Sequence, residues 1–127
     1  MSEPPTFDAW LREEFARSSG GFTALVVLVG IGTSSVTPLR STWLQIVGAD
    51  LDWKGIAARF TAGGTDWDGA CFGVRRGPGG GPLSEPAARA ALEALGRALV
   101  ADRHVLNREH FFNRYGKRIK VEEIRPG

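Results

Sequence analysis

The sequence predicts an α/β domain in which about five helices pack on a small three-stranded, mostly parallel sheet, in the order α-β-α-α-β-α-α-β. Three observations predict it. Residues 22–29 are nearly all apolar and β-branched without alternation, which is how a strand buried on both faces reads. Stretches with apolar residues three and four apart stand on both sides of that run. Segments of helical length then separate the strands, and crossovers that contain helices favour parallel pairs and right-handed connections. With 127 residues, 43% of them apolar, the chain suffices for one core, so a single domain over 1–127 is expected, with 1–5 and 125–127 as flexible ends.

Taken in order, Thr6 caps a first helix that sets Phe7, Trp10, Leu11 and Phe15 on one face. Ser18-Ser19-Gly20-Gly21 ends it, and the central strand Phe22–Val29 follows. After the loop Gly30–Val36, Thr37-Pro38 reads as a helix start, because proline at the first helical position loses no needed hydrogen bond. That helix is expected to run to about Val47; the alternative, an extended meander over 41–61, is set aside because alternation is poor there. Asp52 caps another, with Trp53, Ile56, Ala57 and Phe60 on one stripe and Gly63-Gly64 at its end. Gly69–Val74 reads as a second strand, and the glycine-rich segment from Arg75 to Pro82 as a loop.

Ser84 opens a well-specified helix. Ala88, Ala91, Leu92, Leu95 and Leu99 form its core stripe, opposite Glu85, Arg89, Glu93 and Arg97, which alternate in sign at every fourth position. A short helix is expected from Asn107 to a left-handed stop at Gly116, then a last strand over Ile119–Ile124.

Composition narrows the function classes. Sixteen basic against fourteen acidic side chains leave a net charge of +2, a smaller excess than a general nucleic-acid binder usually carries. The arginine, alanine and glycine bias suggests a GC-rich bacterial genome. Cys71 is the sole cysteine, which rules out an internal disulfide and paired-cysteine zinc sites. No apolar run approaches the ~20 residues of a membrane helix, and the acidic start lacks a signal-peptide layout. The expected setting is cytoplasmic, with no membrane partner and no cofactor.

Two loops are the candidate anion site. Gly30-Ile31-Gly32-Thr33-Ser34-Ser35 lacks the Gly-Lys-Ser/Thr end of a P-loop and the third glycine of a dinucleotide fingerprint. Even so, Thr33, Ser34 and Ser35 offer hydroxyls and amides near a helix start. Arg75 and Arg76 add guanidinium forks suited to phosphate or carboxylate. Both loops share one rim only if the first two strands are parallel. The plainer readings are an ordinary β–α turn and a solvated loop, and under the anion reading replacing both arginines leaves thermal stability unchanged.

A second candidate surface is the basic C-terminal stretch, with Arg114, Lys117, Arg118 and Lys120 among aromatics. Against it stands the protection of a sheet edge by charge. Trp43 and Trp67 fit core stripes less clearly than Trp10 and Trp53, and exposed tryptophans are frequent interface anchors. The acidic pairs Asp50/Asp52 and Asp66/Asp68 are too far apart for one metal site, so none is expected. Cys71 lies in an apolar strand, where a thiol is inert, and His104 and His110 lack a third partner for acid–base work.

No catalytic constellation emerges. The layout is similar to that of small α/β inhibitor and adaptor folds of the barstar kind, a likeness of arrangement alone. The expected function is a small non-catalytic module that binds a protein partner, as an adaptor, accessory subunit or immunity-type inhibitor. The alternatives are an anion or nucleic-acid binder using the 30–37 and 75–82 loops or the basic C-terminal segment, and a small hydrolase or nuclease using His104 and His110.

Overall fold

The run at 22–31 is apolar at odd and even positions alike, so as a strand it must be covered on both faces. It is. A computed structural model describes residues 4–18, 20–32, 36–48, 51–64, 66–102 and 104–120. The elements run α1 (Phe7–Arg17), β1 (Phe22–Ile31), β2 (Val36–Ile46), α2 (Trp53–Ala62), β3 (Gly69–Arg75), α3 (Glu85–Ala101), α4 (Val105–Arg108) and β4 (His110–Asn113). The four strands form one open sheet in the order β2-β1-β3-β4, and every pair is antiparallel.

This overturns the expected three-stranded, mostly parallel sheet with about five helices. The described structure has four strands and four helices. The element misread is 37–47, a strand rather than a helix. Val36, Thr37, Thr42, Trp43 and Ile46 are residue types that suit a pleated surface. Pro38 sits on the outermost strand, a place where proline is tolerated. A bulge between Leu28 and Val29 leaves Leu39 as the extra residue of β2, which blurs the alternation over its first half. With β2 a strand, the parity of the chain changes. β2 returns to the start of β1, α2 climbs back, and β3 enters beside Val29 and runs against β1. The likeness to barstar-type layouts rested on paired helices between the first two strands, and it falls because β2 takes the place of one of them.

The C-terminal region differs too. The expected helix from Asn107 to Gly116 is the single turn α4 followed by β4. Gly116 does supply a left-handed turn, at φ 77°, and a Cβ there would lie 2.6 Å from Cγ of Trp53. Beyond it Lys117–Ile119 returns along β4, with Asn113 N–H donating to Lys117 O at 2.8 Å and Ile119 N–H to Phe111 O at 3.0 Å. The N-terminal segment lies beyond that return, where Arg118 N–H donates to Pro5 O at 2.8 Å. Of the expected last strand, Val121–Ile124 lies outside the described residues.

Three helix caps follow the sequence reading, whereas Asn107 lies inside α4 rather than before it. Thr6 accepts from Ala9 N–H, Asp52 from Gly55 N–H and Ser84 from Ala87 N–H. On one face of the sheet α1 and α2 pack Phe7, Trp10, Leu11 and Ile56 against Ala24, Val26, Leu28 and Phe72. On the other face α3 and α4 pack Leu92, Leu95, Leu99 and Leu106 against Leu25, Val27, Val29 and Cys71. β1 is the wall shared by two cores.

Candidate functional site

The antiparallel β1–β3 pair separates the two loops expected to form one anion site. Arg75 lies opposite Thr23 at the start of β1, whereas Gly30 and Ile31 end it. Eight residues at about 3.3 Å each put these ends roughly 26 Å apart. There is no shared rim. Thr33, Ser34 and Ser35 lie outside the described residues. The guanidiniums are also engaged elsewhere: Arg75 pairs with Glu109 at 2.8 Å and donates to Val74 O, and Arg76 pairs with Glu14 at 2.7 Å. Each ties the end of β3 to another element.

Trp67 is buried, edge-on to Trp53 and Phe60, and so belongs to the core. Trp43 is half-buried on the α3 face, with the Arg89 guanidinium 5.8 Å from its ring. In the basic stretch, Arg114 donates to Trp67 O at 2.8 Å. Arg118 donates to Pro4 O at 2.7 Å and lies over the Phe112 ring. Both thus hold the chain return beside β4, while Lys117 and Lys120 are exposed.

The histidines are not brought together. His110 stacks on Trp10 at 4.8 Å, on the α1 side of the sheet, and its Nδ1 lies 3.2 Å from an Arg118 nitrogen. His104 precedes α4 on the other side, with Nδ1 3.1 Å from Asp102. Asp102 is held below the usual carboxylate range, chiefly by the His104 backbone N–H that it accepts. Cys71 is wholly buried; desolvation pushes its thiol up, the Glu109 charge adds to that, and Arg75 opposes it. Asp68 accepts from Ile31 N–H at 2.7 Å and Asp66 lies 3.8 Å from Arg114. Asp50 lies outside the described residues. Among the described residues no three His, Cys, Asp or Glu side chains converge as metal ligands. No helix among them is long and apolar enough to cross a membrane.

What the fold leaves open is the other edge of the sheet. The β4 edge is covered by the 117–119 return and by Pro4–Thr6 beyond it. Nothing equivalent covers β2: among the described residues no backbone hydrogen bond reaches it except from β1. From Arg40 to Ile46 β2 is in regular register with β1, an open stretch of seven residues, or about 23 Å.

Register also assigns its faces. Arg40, Thr42 and Leu44 stand opposite Leu28, Val26 and Ala24, and so share the α2 side. There a cleft of about 310 Å³ opens between β2 and α2, floored by Val26, Leu28 and Phe60 and bordered by Arg40, Thr42, Arg59 and Gly63. Arg40 and Arg59 are both exposed, and no hydrogen bond or ion pair engages either guanidinium among the described residues.

No protein-family model, curated protein or solved structure matches this chain. The site therefore stands on its own geometry.

Sequence reading missed this site because it made 37–47 helical. As a helix, Arg40 and Thr42 point in different directions. As a strand, their spacing of two puts them side by side. The signal available was the cluster of β-branched and aromatic residues at 36, 37, 42, 43 and 46.

Proposed function

We propose that this protein is a small, non-catalytic binding module of the cytoplasm that docks a partner protein by adding one of its extended segments to β2. The observation that carries this reading is the asymmetry of the sheet, closed by two further passes of the chain beside β4 and open along Arg40–Ile46. An open antiparallel edge presents a row of backbone donors and acceptors, and strand addition satisfies them while side-chain pockets supply selectivity. The chemistry elsewhere agrees with a binding role. The thiol is buried, the two histidines stand on opposite sides of the sheet, and Arg75 and Arg76 are occupied by carboxylates. Adaptor, accessory subunit and immunity-type inhibitor are the roles such a module fills.

A photo-cross-linking amino acid placed at Ser41, with a control at the exposed Glu93 on α3, tests the reading inside the cell. The expected result is a discrete covalent adduct with one protein from position 41 and none from 93, identified by mass spectrometry. The reading fails if neither position yields an adduct and the protein instead binds DNA or RNA with an affinity that falls steeply with salt.

A further inference from the structure

The cleft on the α2 side of β2 has a one-sided chemistry. Two guanidiniums and a hydroxyl border an apolar floor, and among the described residues no acidic side chain lines it. Among the described residues Arg40 and Arg59 are unpaired, whereas Arg75, Arg76, Arg89 and Arg114 each have a carboxylate partner. Local structure accounts for where Arg40 lies without using up its donors. Its guanidinium rests against Gly63, the residue that closes α2, where a Cβ would come within 3.2 Å of Nη1. The end of a helix carries a partial negative charge that favours a cation. A guanidinium has five N–H donors, so most of its capacity still faces the cleft.

A strand laid against β2 sits about 4.8 Å outward, and its alternate side chains stand on the α2 face beside Arg40 and Thr42, within roughly 5.5 Å at Cβ. A carboxylate on such a side chain meets both guanidiniums, and apolar carbons beside it meet the half-buried Phe60 ring, since Val26 and Leu28 beneath are already buried. We infer that this cleft receives an Asp or Glu side chain of the added segment, so that the partner docks through an acidic, extended stretch in one register. The inference rests on the strand-addition reading and names the chemistry of the segment. Guanidinium–carboxylate pairs are directional and bidentate, which suits them to fixing register.

A display library of random decapeptides selected against the full chain supplies the probe. The expected consensus alternates apolar residues with Asp or Glu at one position. Chosen peptides should slow amide exchange over Arg40–Ile46. Changing the peptide acid to its amide should weaken binding about tenfold, and Arg40→Gln with Arg59→Gln should produce the same loss without adding to it. The peptide arm leaves the protein unaltered, and an unchanged melting temperature checks the variant. Peptides that protect β2 but show no acid preference, or that bind the variant equally, overturn the acid cleft and leave strand addition standing. If no peptide protects β2, or if sedimentation shows the edge already filled by a second copy of the chain, strand addition falls and the cleft assignment falls with it.

Discussion

Thr23 shows how one side chain ties three parts of the chain together. It is fully buried, its hydroxyl donates to Gln45 Oε1 at 2.6 Å on β2, and it accepts from Leu83 N–H at 2.8 Å ahead of α3. Replacing the hydroxyl with a methyl of similar shape leaves both partners short of a bond. Thr23→Val is expected to destabilise the protein by about 1–3 kcal/mol, read from the denaturant midpoint, while Thr37→Val on the exposed half of β2 stays within about 0.5 kcal/mol. Cys71 makes the opposite point. With its thiol buried and its ionisation opposed by desolvation, the native protein is expected to resist a disulfide reagent at neutral pH and to react stoichiometrically once unfolded. Rapid modification of the native state would contradict the packing around β3. That this cysteine is buried was legible from its apolar neighbours alone.

At the level of elements, the ion pairs at the end of β3 act as fasteners. Glu14 on α1 is buried, and Arg76 both pairs with it and lies 5.9 Å from the Phe22 ring centre. Arg76→Ala leaves that carboxylate without its cation, and the expected loss is about 1–2 kcal/mol, tempered by the partial exposure of the pair. The exposed helical pair Glu85–Arg89 is expected to matter less, under about 1 kcal/mol for Glu85→Ala. Thermal melts of both variants check the order, and a lower melting point for Arg76→Ala reverses the unchanged stability expected under the anion-site reading of 75–82. Six of the eight elements were legible in type and order, because caps and apolar spacing are local signals; β4 was read as part of a helix running to Gly116. Thr6, Asp52 and Ser84 mark helix starts whatever surrounds them. β2 was not legible, because Thr37-Pro38 is an equally good opening for a helix and for an outer strand. Only pairing with β1 decides between the two. The candidate site was lost with that one element.

For the molecule as a whole, β1 carries both cores, and its neighbours β2 and β3 are joined to it over very different chain separations. The hydrogen-exchange pattern expected from this is graded: amides of β1 and β3 slowest, and β2, whose outer side no described residue pairs with, distinctly faster. Uniform protection across all four strands would mean that the β2 edge is covered in solution. The alternation along β1 has one more consequence. Ala24, Val26 and Leu28 serve the α1–α2 side, and Leu25 and Val27 the α3–α4 side, with no position to spare. A substitution there disturbs one compartment and leaves the other intact. A one-residue insertion in mid-strand would instead shift the phase of everything after it, trading the occupants of both compartments at once. The strand thus has the character of a reading frame, forgiving of altered letters and intolerant of an added one.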